Sequence, residues 1–262
     1  MRPPLVALLT DFGTHDWYAA VLKAVVLYRC PGARLIDITH EVPPQDTVAG
    51  AFILAAAVPW FPRGTVFLAV VDPGVGSGRA IVAAKADHRY FVGPDNGLLT
   101  LTLQRAKQFT AVRLTNQRYW IKPISATFHG RDIMAPVAAY LASGGSLNRL
   151  GVTLPRLTPL ALPAVRQDGS ILRGHVVHID AFGNLITDLP SSSLVPKGGS
   201  RRAAVRYKRR AVRVVSSYAA GSHAELIAAA GSLGVVELAL RNGSAARMFN
   251  AARGDMVEVR QA

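Results

Sequence analysis

Short apolar runs recur along the first half of the chain, alternating with segments of helical period, and several of them stop on a carboxylate. Leu5 to Leu9 reads as a buried strand followed by Thr10-Asp11-Phe12-Gly13, and Leu35 to His40 reads as a second. Val66 to Val71 is a third, closing abruptly on Asp72-Pro73-Gly74. Apolar runs of this length bounded by turn residues fit strands buried on both faces. Between them, Trp17 to Leu27 has the pattern of a helix, with Asp16 at the N-cap position and Pro31-Gly32 as its stop. Thr47 to Ala57 predicts a helix lying across the sheet. The order β, α, β, α, β with short connections implies a mostly parallel sheet with covering helices. Ile81 to Ala84 and Tyr90 to Gly93 predict further strands, and Leu98 to Leu103 a helix that Asp95 or Asn96 either caps or leaves free to line a site. Ile133 to Leu141 predicts an apolar helix with Pro136 in its first turn and a stop at Gly144-Gly145.

Pro155, Pro159 and Pro163 mark Leu154 to Val165 as a linker, after which the texture changes. Gly174 to Asp180, Ala203 to Val215, Val235 to Leu240 and Met256 to Arg260 are short strands between glycine and serine turns, the pattern of a small antiparallel barrel or sandwich. The expected organisation is an N-terminal α/β domain over 1–153, a linker over 154–168 and a C-terminal β domain over 169–262. His175 and His178 stand three apart on one strand and point to opposite faces, so a shared metal is not expected.

With 262 residues, half of them hydrophobic, the chain can bury the core of one large or two modest domains. The net charge of +14, from 30 Lys and Arg against 16 Asp and Glu, raises the question of an anionic partner. That charge concentrates only in Lys197 to Arg213, where eight of seventeen residues are basic and alternate with Ala203, Val205, Tyr207 and Val212. A solvated edge with one charged face fits this better than a nucleic-acid site. Cys30 is the only cysteine, which excludes an intrachain disulfide and a multi-cysteine zinc site and suits a cytoplasmic setting. The first apolar run is too short for a secretory signal, and the longest, Val48 to Trp60, has thirteen residues and contains Pro59, short of the ~20 that a spanning helix needs. A soluble protein is expected.

Candidate chemistry gathers around Asp72. A strand delivering a carboxylate to a turn at the sheet edge places it where α/β proteins keep their sites. Gly74, Gly76 and Gly78 let the backbone turn and approach a ligand, and Arg79 returns a fixed positive charge. Gly74-Val75-Gly76-Ser77-Gly78 is not a dinucleotide fingerprint, because Arg79 stands where the third glycine belongs and a strand follows instead of a helix. No Gly-Lys-Ser or Gly-Lys-Thr follows, so a phosphate-binding P-loop is excluded. Thr127-Phe128-His129-Gly130-Arg131-Asp132 precedes a helix and offers His129 as a distant partner, where polar ligand groups are stabilised. The competing readings are an ordinary turn for Asp72 and a structural loop histidine for His129.

Leu9-Thr10-Asp11-Phe12-Gly13, Asp37-Ile38-Thr39-His40-Glu41, Val71 to Gly76, Pro94 to Leu99, Phe128 to Asp132 and Asp180-Ala181-Phe182-Gly183-Asn184 occur in an order spanning nearly the whole chain. Together they are similar to the motifs of the S-adenosyl-L-methionine (SAM) hydrolases, also called SAM hydroxide adenosyltransferases, relatives of the fluorinases and chlorinases. The resemblance implies an α/β fold, with an N-terminal mostly parallel sheet with covering helices plus a smaller C-terminal antiparallel β-barrel domain. It also implies a homotrimer with sites at subunit interfaces, no cofactor, no metal, and attack of water or hydroxide on the ribose C5′ of SAM to give adenosine and methionine. By the same resemblance Asp72, Arg79 and His129 handle the nucleophile, with either Asp72 or His129 as base, and Asp11 accepts from the ribose hydroxyls. Asp16 and Asp180 hold the methionine ammonium or offset the sulfonium, Asn184 reads adenine, and Phe182 packs beside it. Ser232 and Glu237 fit the methionine-binding segment, a plain turn and strand being the competing reading, and Asn242 to Ala246 matches a loop near adenine. The chain departs from the family habit at Asp188, where Asn often stands, and in its charged 201–213 segment. The alternatives are a halogenase of the same fold and a nucleic-acid-binding protein using the 201–213 charges.

Overall fold

The computed structural model describes residues 3–161, 164–195 and 203–261. The chain divides into two compact units, Met1–Ala161 and Leu162–Ala262. The first is built on a seven-stranded sheet. Its strands are β1 (Leu5–Thr10), β2 (Arg34–Thr39), β3 (Val66–Val70), β4 (Ile81–Ala86), β5 (Arg89–Pro94), β6 (Phe109–Leu114) and β7 (Gly151–Thr153), in the spatial order β2-β1-β3-β5-β4-β6-β7. β2, β1, β3 and β5 are parallel, and β4, β6 and β7 add antiparallel pairings.

Strand alternation sorts the apolar residues between two faces. Val6, Leu8, Leu68 and Val70 point to a core shared with Leu22 and Val26 of α1 (Tyr18–Arg29). Val137 and Ala138 of α4 (Ala135–Ala142) join that core, and a π-helical turn, Gly130–Met134, leads straight into the helix. Ala7, Leu9, Phe67 and Val71 point the other way, onto Leu54 of α2 (Thr47–Ala57) and Leu103 of α3 (Thr100–Gln104). Both faces are covered, as near-continuous apolar strands require.

Two capping expectations fail. Asp16 does not cap α1: Trp17 occupies that position in a helical conformation, with no side-chain cap, and Asp16 is exposed. Trp17 O already accepts from Val21 N, so the helical turn begins after Asp16 has passed. Nor do Asp95 and Asn96 cap α3, whose N-cap is Leu99 without a side-chain bond. Asp95 instead accepts from Thr158 N at 2.8 Å, and Asn96 donates to Val71 O at 2.9 Å while accepting from Leu98 N. Residues 154–161 fall with the first unit, where Leu154 N donates to Ala111 O and Thr100 Oγ1 donates to Thr158 O.

The second unit is a β-barrel. β8 (Arg166–Asp168), β9 (Ile171–Ile179), β10 (Leu185–Pro190), β11 (Ala204–Tyr207), β12 (Arg210–Val214), β13 (Leu226–Ala230), β14 (Val235–Leu240) and β15 (Met256–Arg260) run in the order β10-β14-β13-β12-β11-β15-β9-β8. The β10–β9 pairing closes all but β8 into a ring. The ring is mixed, not wholly antiparallel: β12 and β13 run parallel because the chain between them crosses over through a 3₁₀ turn at Tyr218–Ala220 instead of folding back as a hairpin. Val176, Leu185, Val205, Tyr207, Val236 and Leu238 fill the interior.

Residues 197–202 of the basic segment lie outside the described residues. Ala204 to Val214 forms a β11–β12 hairpin with Val205, Tyr207 and Val212 inward and Arg206, Lys208, Arg209, Arg210 and Arg213 exposed. It is not a sheet edge: β11 also pairs with β15 and β12 with β13, because closing the ring uses both sides of each strand. Among the described residues no helix is long and apolar enough to cross a membrane.

Leu68 is fully buried at the centre of the first sheet, so Leu68→Ala is expected to cost about 2–5 kcal/mol, read as a lowered urea midpoint. Val152→Ala at the exposed sheet edge is expected to stay within about 0.5 kcal/mol of the parent.

Candidate active site

Parallel pairing of β1 with β3 aligns Thr10 with Val70, so the residues that follow, Asp11 and Asp72, leave the sheet at the same end. From β3 the chain enters a loop folded on itself: Ser77 N and Oγ both donate to Gly74 O, and Arg79 N donates to Ser77 Oγ. The loop turns Arg79 back onto Asp72. Nε donates to Oδ1 at 2.6 Å and Nη2 to Oδ2, a fork-to-fork pair with little solvent exposure on either side chain.

His129 arrives from the segment ahead of the π-turn. That segment is bolted from below by Asp132, which is fully buried, pairs with Arg131 and accepts from Ser125 N at 2.8 Å. His129 Nδ1 lies 3.2 Å from Arg79 Nη2. A guanidinium has no acceptor, so Nδ1 accepts and the proton of the neutral ring sits on Nε2. Burial, and then the charge of Arg79, hold the imidazole below the ordinary histidine pKa, which keeps it neutral at pH 7. The loops meet through backbone: Gly76 has φ +79°, and a Cβ there would stand 2.6 Å from Ala126 O.

These groups border a cleft of about 630 Å³, lined by Asp11, Asp72 and His129 with Phe12, Trp17, Tyr18, Gln45, Ser125, Thr127 and Phe128. Arg79 lies behind Asp72 and His129. The size suits a small-molecule ligand. Asp11 accepts from Gln45 N at 2.8 Å, yet its carboxyl is pushed up, first by burial and further by Asp72 nearby. Phe12, Trp17, Tyr18 and Phe128 form one aromatic wall, with Trp17 and Tyr18 stacked at 4.3 Å and Phe128 edge-on to Tyr18 at 5.3 Å. Asp16 is exposed and does not line the cleft.

The remaining candidates belong to the barrel unit. Asp180, Phe182 and Asn184 share one turn, in which Asp180 Oδ1 accepts from Phe182 N and Asn184 N, and Oδ2 accepts from Asn184 Nδ2 at 2.9 Å. Phe182 is left 79 % exposed. Ala246 N donates to Gly183 O, which lays the Asn242–Ala246 loop on this turn. Glu237 is buried on β14 and accepts from the Tyr218 hydroxyl, whose pKa burial raises, as does that bond. Ser232 is exposed in the neighbouring turn. Among the described residues no three His, Cys, Asp or Glu side chains are placed to hold a metal ion.

The sequence profile of the SAM hydroxide adenosyltransferase N-terminal domain matches residues 6–151, and that of the C-terminal domain matches 174–258. The chain belongs to this family. It is 42% identical over 255 residues, 94% of each chain, to the (R)-S-adenosyl-L-methionine hydrolase of Thermus thermophilus, and 40% identical over 262 residues to that of Salinispora tropica, covering 98% of this chain and 97% of the relative. A fluorinase from an Actinoplanes species is more distant, 29% identical over 74% of each chain. A crystal structure from Thermotoga maritima superposes with a TM-score of 0.89 at 34% identity over 98% of this chain and all of that one.

Several residues that build this cleft escaped the sequence reading. Trp17 and Tyr18 fit the apolar pattern of a core helix but are exposed at its mouth. Gln45 adopts φ +65°, and only the preceding Pro43-Pro44 hinted at an irregular turn. Ser125 carried no signal, because the bond its amide makes to Asp132 forms within a loop.

Because Gly76 is both left-handed and wedged against Ala126 O, Gly76→Ala is expected to push the Arg79 loop away from His129. The expected readout is a His129 side-chain resonance that no longer senses Arg79, its pKa rising toward the ordinary 6.5 in an NMR titration. An unchanged titration would contradict this account of how the loops are held.

Proposed function

We propose that the protein hydrolyses SAM to adenosine and L-methionine. The observation that carries this reading is the cluster in which Arg79 bridges Asp72 and His129 at the wall of a cleft sized for a small molecule. Whole-length similarity to proteins named (R)-SAM hydrolases supports it. In the reaction a water oxygen bonds to C5′ as the C5′–S bond breaks. The electron pair stays on sulfur, which leaves as a neutral thioether, and one proton is released. A sulfonium departs readily, so the reaction asks for neither metal nor acid at the leaving group; it asks for an aligned, partly desolvated nucleophile.

The hydrogen-bond directions divide the labour. His129 Nδ1 is committed to Arg79, so in the neutral ring Nε2–H orients the water as a donor. Asp72 is then the proton acceptor, since each carboxylate oxygen keeps a lone pair after pairing with Arg79. Arg79 stabilises developing hydroxide. Asp11 takes the ribose hydroxyls, with its raised pKa reflecting a desolvated wall. Asp16 and Asp180 take the methionine ammonium or sulfonium charge, Asn184 and Phe182 take adenine, and Ser232 and Glu237 take the methionine end. The protein works in the cytoplasm as a homotrimer, sites lying between neighbouring subunits and needing no cofactor; the exposed Phe182 is in keeping with an aromatic that finds its partner only on assembly.

Purified protein treated with chelator and given SAM is expected to release adenosine and methionine in equal amounts, with label from ¹⁸O-water in the 5′-hydroxyl. A 5′-halonucleoside on adding chloride or fluoride would overturn hydrolysis in favour of halogenation, and offering both sulfonium epimers reads the stereochemistry. Asp72→Ala and His129→Ala are each expected to lower kcat by roughly 10²- to 10⁴-fold; His129→Ala is expected to retain the thermal midpoint, and Asp72→Ala to stay folded with a lowered one, because it leaves the shielded Arg79 charge unpaired. The acid limb of kcat/KM is expected below the ordinary histidine value of 6.5, because a depressed pKa keeps His129 neutral until the pH falls further. A limb centred above 6.5 would contradict the assignment.

A further inference from the structure

Beneath Asp11 runs a polar chain that the reaction does not use. Lys23 Nζ, on α1, donates to Asp37 Oδ2 at 2.6 Å; Asp37 Oδ1, on β2, lies 3.1 Å from His40 Nε2; His40 Nδ1 lies 2.8 Å from Thr10 Oγ1 at the end of β1. Phe12 N donates to the same Thr10 oxygen at 3.2 Å. Thr10 is fully buried and His40 nearly so, at 4 % exposure, while Asp37 and Lys23 reach solvent. The contact of His40 Nε2 with Asp37 is a close approach and not a directed hydrogen bond, so the directed part of the chain runs from Phe12 N through Thr10 Oγ1 to His40 Nδ1. The Asp37 carboxylate beside Nε2 favours the imidazole proton on that nitrogen, so Nδ1 accepts from the Thr10 hydroxyl, whose oxygen in turn accepts from the Phe12 amide. Asp37 is held below the usual carboxylate range, since burial, which works the other way, is outweighed by Lys23 and His40.

Carboxylate, imidazole and hydroxyl in this order form the sequence of a nucleophilic triad. The Thr10 hydroxyl has no access to a substrate, so its work is of another kind. We propose that Thr10, His40 and Asp37 are positioning residues which fix the turn carrying Asp11 and Phe12, and thereby the ribose-facing wall of the cleft. The turn is tied to the end of β2 on several sides: Gly13 N donates to His40 O at 2.7 Å, Val42 N to Thr10 O, Thr14 Oγ1 to Glu41 Oε1, and Gln45 N to Asp11 Oδ2. Two of these bonds hold residues 13 and 14, and the other two reach the Thr10 carbonyl and the Asp11 carboxylate. Among the described residues the Thr10 hydroxyl alone holds the Phe12 amide, between Asp11 and the aromatic wall. An apolar pair of the same shape would fill this space without orienting anything, whereas an aligned buried polar chain specifies one geometry.

The assignment of substrate to this wall rests on the hydrolase reading; the positioning itself does not, and the experiment separates the two. Thr10→Val keeps shape and removes the hydroxyl, and Thr10→Ser restores it. Amide hydrogen exchange at Phe12 is expected to quicken at least about tenfold in Thr10→Val and to stay near the parent rate in Thr10→Ser. The KM for SAM is expected to rise about tenfold in Thr10→Val with a smaller change in kcat, to recover in Thr10→Ser, and to rise no further when Asp11→Asn is added, because both changes act through one contact. Asp37→Asn, at the solvent end, should shift exchange the same way by a smaller factor and serves if Thr10→Val does not fold. Unchanged Phe12 exchange in the folded variants, or effects of Thr10→Val and Asp11→Asn that simply multiply, would overturn the proposal. Parent protein that leaves SAM intact would overturn the hydrolase reading instead, with the exchange result still deciding the positioning.

Discussion

The guanidinium of Arg79 holds the candidate site together. It spends Nε and one edge of Nη2 on Asp72 and turns Nη2 also toward His129, so one charge fixes the carboxylate, the ring orientation and the ring tautomer at once. Both members of the ion pair are shielded from water, at 10 % and 6 % exposure. Removing either partner of such a pair strands a charge, at a cost of about 3–5 kcal/mol, which makes the arrangement all-or-none. The loop from Gly74 to Arg79 exists to bring that charge back to the strand it left. Its own bonds, and the close passage of Gly76 by Ala126 O, follow from this requirement.

The rest of the first unit supplies a rigid base for the cluster. Parallel strands β1 and β3 lie side by side in register, so two carboxylates emerge as neighbours without any long loop to place them. Apolar residues on both faces anchor those strands between α1 and α4 on one side and α2 and α3 on the other. Catalytic geometry set on strand ends is more exact than geometry set on loops alone. Where a loop must contribute, as at His129, a fully buried carboxylate, Asp132, stiffens it.

Much of this was legible in the sequence because the signals are local. Three apolar strands with their order, the carboxylates at two strand ends, and the return of Arg79 seven residues after Asp72 all lie within windows that turn chemistry and periodicity can read. The barrel was legible as short strands between glycine turns, but its closure by β9 on β10 and the parallel β12–β13 pair are long-range pairings that no window contains. The Asp16 cap failed because a preferred residue type says nothing of where the first helical turn begins, and here Trp17 already has helical dihedrals. The aromatic wall was hidden for a related reason: Trp17 and Tyr18 satisfy the pattern of a buried helix face, and the wall they form with nearby Phe12 is completed by Phe128, distant in sequence.

The central claim is that one bridging guanidinium organises the nucleophile, and Arg79→Lys tests it most directly. Lysine keeps the charge but is a point donor, unable to grip both Asp72 oxygens while reaching His129 Nδ1. Steady-state kinetics of Arg79→Lys on SAM are expected to show kcat lowered by roughly 10²-fold or more with KM within a few-fold of the parent, since the loss falls on the transition state. A kcat close to that of the parent would show that charge alone suffices and would contradict the account.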